Sequence, residues 1–144
     1  MVRVSSGDQL FIRERAFWFC EYCYAPSGFS PDTFPLDHIL PESSGGLATL
    51  DNLAHSCGGC NGHKHNKITC MDPLSKLEVR LFHPRKDYWP DHFQWNHDGT
   101  LIIGMTPVGR ATVDLLKVNR ESNVNLRMLL MLVGLHPPNT YPKD

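Results

Sequence analysis

Apolar residues recur along this chain in short groups of differing spacing, with no single long period. Leu10, Phe11, Phe17 and Trp18 fall at helix-like intervals behind Asp8, which predicts a helix from Gly7 to Ala16. Ala25 to Asp32 is rich in Pro, Ser and Gly and reads as loop. Phe34 to Leu40 reads as a short strand, interrupted by Pro35 and closed by Pro41. Glu42 to Thr49 contains Ser-Ser-Gly-Gly and reads as loop. Asp51 is placed to cap a short helical turn through His55, and a polar helix is predicted from Cys60 to about Lys67.

Further on, Leu77 to Phe82 alternates as a strand. Phe93–Asn96 and Thr100–Met105 flank Asp98-Gly99, a hairpin signal. Thr106-Pro107 predicts a capped helix to about Val118. A last amphipathic helix, from about Ser122 to Val133, should stop at Gly134, with Pro137 and Pro138 beyond. Leu101, Ile102, Ile103, Leu115, Leu116, Leu129 and Leu130 are the expected core of this half. The order of elements predicts an α+β fold, and no internal repeat is visible.

Composition adds limits to this picture. The chain has 144 residues, 41% of them hydrophobic and 20% charged, which fits one compact domain that a metal staple would help to stabilise. A formal net charge of -1 gives no broad basic surface, so any hold on nucleic acid must come from local clusters. No hydrophobic run is long enough to cross a bilayer, and Met1–Leu10 lacks the basic-then-apolar order of a secretory signal. The expected compartment is the reducing cytoplasm, where cysteines bind metal more often than they form disulfides.

Five cysteines are present, and four form two C-x-x-C pairs, Cys20/Cys23 and Cys57/Cys60. Each tight turn can offer two thiolates to one ion, and two turns complete a tetrahedral zinc shell. With all four positions filled by Cys, this Zn²⁺ is expected to be structural. Redox dithiols and simply buried cysteines are the other readings of the same spacing. Cys70 is left over and is expected to be a free, partly buried thiol.

Between and after the two pairs lie Asp37-His38-Ile39-Leu40-Pro41, Gly45-Gly46, Asp51-Asn52-Leu53, Asn61 and Lys64. The order C-x-x-C, D-H-I-x-P, G-G, D-N-L, C-x-x-C-N-x-x-K, from Cys20 to about Lys67, resembles the HNH endonuclease family of the His-Me finger (ββα-metal) nucleases. Leu81–Arg85 and Asp91–Asn96 also resemble the C-terminal extension of small bacterial HNH proteins. The resemblance implies a ββα-metal core with two zinc knuckles, followed by a hairpin and helices. It implies one domain over 1–144: an N-terminal helix in 1–19, a zinc-stapled core in 20–70 and an extension in 71–144.

Phosphodiester hydrolysis needs a base for water, charge stabilisation and a neutralised leaving oxygen. An imidazole can give and take a proton in water near neutral pH, so His38 suits the general base, the role the resemblance implies. Asp37 offers a hard carboxylate oxygen. The resemblance makes Asp37 and Asn61 the protein ligands of a catalytic Mg²⁺ or Mn²⁺. Asn61 is expected at the start of the post-knuckle helix, whose dipole favours a nearby phosphate. The resemblance makes Asn52 a brace that holds the loop and base without touching metal, a role that a neutral amide with donor and acceptor fits. The family's classical third His is Asn61 here, and the residue before the base is Asp, both within the family pattern. Each residue also has a bland reading, as a satisfied side chain or a helix cap.

Lys64, His63 and Lys67 give the post-knuckle helix a basic surface, and His65, four residues after Asn61, is expected on Asn61's face of it. Arg85 and Lys86, followed by Tyr88 and Trp89, form a second basic-aromatic patch. His83, His92 and His97 are expected to pack or lie at the periphery. The functional expectation is a metal-dependent endonuclease acting on DNA, leaving 5′-phosphate and 3′-hydroxyl ends. RNA as substrate and a non-catalytic zinc-knuckle binding module stay open. The implied origin is bacterial or phage, with a homodimer or a defence- or phage-system protein as partner and no membrane. Loss of Asp37 is expected to spare the fold.

Overall fold

The computed structural model describes residues 4–143. Residues 1–3 of the N-terminal segment 1–19, and residue 144 of the extension, lie outside the described residues. Helix α1 (Ser6–Arg15) starts at Ser5, whose hydroxyl accepts the Asp8 N–H. It buries Ile12 and packs on strand β2. Strands β1 (Leu36–His38) and β2 (Leu53–His55) pair antiparallel, with Asp37 opposite Ala54, and helix α2 (Gly58–Lys64) follows. This β-β-α unit is built around the two C-x-x-C turns.

Two more antiparallel pairs follow: β3 (Thr69–Met71) with β4 (Glu78–Arg80), and β5 (Phe93–Trp95) with β6 (Ile102–Gly104). A single turn of helix, α3 (Trp89–His92), leads into β5. Helix α4 (Pro107–Leu116), capped by the Thr106 hydroxyl, packs on β6, α2, β3 and β4. Helix α5 (Glu121–Leu132) ends just before Gly134, which takes the left-handed backbone at φ 76°. The fold is α+β, as the pattern predicted. No helix among the described residues is long and apolar enough to cross a membrane.

One aromatic cluster ties the halves together. Trp89 stacks on Tyr141 with a 3° interplanar angle and also meets Phe93, Trp95 and Tyr24. The four paired cysteines belong to the same buried cluster, so the knuckles form part of the core.

Several expectations need correction. The segment 51–55 is a turn at Asp51-Asn52 followed by strand β2 and not a helical turn through His55, because Leu53 and Ala54 are buried in the pairing with β1. Helix α2 begins at Gly58, with the Cys57 sulfur as its cap, and stops at Lys64 because His65 adopts φ 50°. Of the expected core residues, Ile102, Leu116 and Leu130 are buried and Leu115 is partly covered. Leu101, Ile103 and Leu129 are exposed: Leu101 precedes β6, Ile103 takes its outward register position, and Leu129 lies on the outer face of α5.

Candidate active site and zinc centre

The four-cysteine cluster is built by local turns. In each C-x-x-C the second cysteine's backbone N–H points back to the first sulfur: Cys23 N to Cys20 Sγ at 3.5 Å and Cys60 N to Cys57 Sγ at 3.4 Å. All four side chains are buried and their sulfurs lie within 4.8 Å of one another. Cys23 Sγ and Cys57 Sγ are 3.7 Å apart. Bonds of ~2.3 Å in a tetrahedral shell set the sulfurs about 3.8 Å apart, so the set fits zinc and is far too open for disulfides.

Residues other than the four cysteines complete this centre. Arg120 donates Nη2 to Cys57 Sγ at 3.1 Å and Nη1 to Cys60 Sγ at 3.8 Å. Glu21, inside the first knuckle, is buried and ion-paired with Arg85, and its Oε2 accepts the His55 N–H. Burial pushes the Glu21 carboxyl up, and Arg85 opposes that shift. Arg85 is therefore a buried structural partner and not a nucleic-acid contact, because an acid in the knuckle fixes it inside. Trp89 is likewise a core residue.

Strand β1 carries Asp37 and His38 on opposite faces. Asp37 points inward, 3% exposed, and accepts the Tyr22 hydroxyl at 2.7 Å. Lys64, 1% exposed, crosses from the end of α2 and sets Nζ 3.2 Å from Asp37 Oδ2. The same ammonium donates to the carbonyls of His38 and Ile39, each at 3.1 Å. Lys64 is thus an internal clamp on the strand and does not offer its charge to a phosphate backbone, since all its donors are spent inside. Burial raises the Asp37 pKa, with Lys64 and Tyr22 pulling it back.

His38 faces the other way. Its Nε2 is covered, forms no directed hydrogen bond and lies 3.4 Å from Glu42 Oε1. Asn52 holds the loop that follows. Its Oδ1 accepts the Leu40 N–H at 2.8 Å, and its Nδ2 donates to Leu40 O at 3.0 Å and Leu47 O at 2.9 Å. Gly46 closes onto this clamp: a Cβ there would sit 1.7 Å from Leu40 O.

Asn61 lies one turn before Lys64 on α2, so it shares the side of the helix that faces β1. Its amide forms no hydrogen bond with a described residue. Because α2 begins at Gly58, Asn61 sits in mid-helix and not at its start. His65 is exposed at the helix end and turned off Asn61's face by its backbone. His63, Lys67 and Lys86 are exposed. A cleft of about 440 Å³ opens beside this region, with Ile39, Leu40, Ile68 and Leu81 in its walls and Arg80 and Lys86 among its polar lining.

Sequence reasoning passed over Tyr22, Glu21, Glu42 and Arg120. Tyr22 and Glu21 stand between the first two cysteines, and Glu42 stands four residues after His38, so their positions carried a signal. Arg120, sixty residues from Cys60, carried none.

Residues 20–67 match the family model of the HNH endonucleases, over one third of the chain. No curated protein and no solved structure matches the chain. The β-β-α unit with its four-cysteine cluster is thus the part of the chain that matches the HNH model, whose family is made up generally of nucleases.

Proposed function

We propose that the chain is a metal-dependent endonuclease that cuts DNA, with His38 as general base. The observation that carries this reading is the state of His38. It is a half-covered imidazole on a strand end whose backbone Lys64 and Asn52 fix at the His38 and Leu40 carbonyls, and its covered Nε2 lacks a directed hydrogen bond. A structural histidine is normally satisfied when covered.

Asp37 and Asn61 would hold the catalytic Mg²⁺ or Mn²⁺. One carboxylate and one neutral amide suit a hard cation that keeps most of its shell for water and phosphate oxygens. When bound, the cation supplies charge stabilisation at the scissile phosphate. The chain's own groups do the rest. The Glu42 carboxylate stands 3.4 Å from His38 Nε2 and sets a negative charge beside the ring. His38 then takes a proton from the attacking water. Asn52 fixes the loop so that the ring stays aimed, and exposed His63, Lys67 and Lys86 attract the strand. The products would carry 5′-phosphate and 3′-hydroxyl ends. Because one such site cuts one strand, duplex cleavage would need a second copy or two successive nicks.

One observation favours a second reading, a non-catalytic zinc-knuckle module that binds nucleic acid: Asp37 is buried and already paired with Lys64. Plasmid nicking by the zinc-loaded chain and by His38→Ala, with Mg²⁺ and then Mn²⁺, separates the two. Metal-dependent nicking that disappears in a folded His38→Ala supports the nuclease. Absence of nicking on plasmid, single-stranded DNA and RNA, with binding retained, supports the module.

A further inference from the structure

Four thiolates around Zn²⁺ carry a net double negative charge, and here they are buried in the aromatic core. A buried charge is costly unless something of opposite sign meets it. Arg120 meets it directly, with separate nitrogens on the Cys57 and Cys60 sulfurs. The same guanidinium donates to Leu116 O at 3.4 Å and Lys117 O at 3.2 Å, the last turn of α4. Arg120 is also the cap residue of α5, so it sits at the junction of the two C-terminal helices.

A second observation, independent of those bonds, comes from the knuckle. A Cβ on Gly59 would stand 2.4 Å from Arg120 Nη2 and 2.6 Å from its Cζ. The second C-x-x-C turn therefore lays bare backbone against the guanidinium. Gly59 and Arg120 fit as a pair, and a larger residue at 59 would push the cation off the sulfurs.

We propose that Arg120 is an outer-shell residue of the zinc site. Its two hydrogen bonds make the Cys57 and Cys60 thiolates poorer nucleophiles, and its positive charge offsets the buried negative charge of the site, which favours the thiolate form that holds zinc. The helical extension is then part of the metal centre. This inference stands whether or not the chain cuts nucleic acid.

The test uses the full zinc-loaded chain and the variants Arg120→Met, Arg120→Lys and Gly59→Ala. Three quantities are read: zinc affinity by competition with a chromophoric chelator, iodoacetamide labelling of each cysteine by peptide mass, and the urea midpoint. For Arg120→Met we expect zinc affinity to fall about 10–100-fold, with labelling accelerated at Cys57 and Cys60 more than at Cys20 and Cys23. Arg120→Lys should fall between Met and the parent. Gly59→Ala, which keeps the arginine, should shift both readouts the same way and add little to Arg120→Met in the double variant. That arm decides the matter if Arg120→Met does not fold. Unchanged affinity, or labelling that rises equally at all four cysteines in step with lost stability, would overturn the proposal.

Discussion

Lys64 Nζ stands 3.2 Å from Asp37 Oδ2, with the two side chains 1% and 3% exposed. The last residue of α2 is thereby tied to the middle of β1, and the tie sits beneath the His38 backbone. Removing one member of a buried ion pair leaves a charge without its partner, at a cost of about 3–5 kcal/mol. Lys64→Met and Asp37→Ala should each lower the urea midpoint of the zinc-loaded chain on that scale. The double variant Asp37→Asn/Lys64→Met should recover most of the loss. This stands against the expectation that Asp37 can be removed with the fold untouched, and the midpoint of Asp37→Ala decides between them. If Lys64→Met left the midpoint unchanged, the clamp would contribute nothing.

Asn52 and Gly46 act on the same carbonyl, that of Leu40. Asn52→Ala removes three hydrogen bonds from the loop after His38 and should cost about 1–3 kcal/mol. Gly46→Ala should disturb the same loop by collision. Both variants should keep their zinc and lose metal-dependent cleavage. A cleavage rate equal to the parent's in either one would remove the bracing role from Asn52.

The cysteines and the D-H, D-N and C-N motifs were legible because their chemistry is local: the spacing of a knuckle, or a residue type at a fixed offset. The hairpin at Asp98-Gly99 and the Thr106-Pro107 cap were legible for the same reason. What the chain concealed are relations between distant residues. Lys64 and Arg85 look like surface cations until the fold brings Asp37 and Glu21 to them. The strand at 53–55 exists through its pairing with β1, which overrides the helix-capping signal of Asp51. β3 was missed because three residues, with Cys70 partly covered between two exposed neighbours, are too few to show a period.

Cys57 and Cys70 should behave in opposite ways. Cys57 caps α2 and faces three other sulfurs, so Cys57→Ser should lose zinc and with it much of the folding free energy. Cys70 lies in β3 and is not one of the clustered cysteines; its thiol donates to the Met71 carbonyl at 3.6 Å. Cys70→Ser should keep its zinc and change stability by no more than about 0.5 kcal/mol. Metal analysis and thermal melting, with and without chelator, check both. A zinc-replete, stable Cys57→Ser would refute the four-cysteine staple.

His136 provides a pH test away from the metal centres. Its Nε2–H donates to the Gly99 carbonyl at 2.9 Å, it packs edge-on against Trp95, and it is buried. Burial lowers its pKa, and the nearby Arg127 pushes it the same way. Between that lowered value and the ordinary one of about 6.5, the unfolded chain binds a proton that the folded chain refuses. Stability from His136 is therefore fully present above the ordinary value and is lost as pH falls toward the lowered one. His136→Gln keeps an N–H for Gly99 and removes the titration. The stability difference between the parent chain and His136→Gln should shrink as pH falls through this window. Zinc loss, the buried His55 and the half-buried His83 affect both chains alike and drop out of the difference. A difference that stays flat with pH would mean that His136 titrates equally in the folded and unfolded chain, so that burial against Trp95 does not exclude its charge.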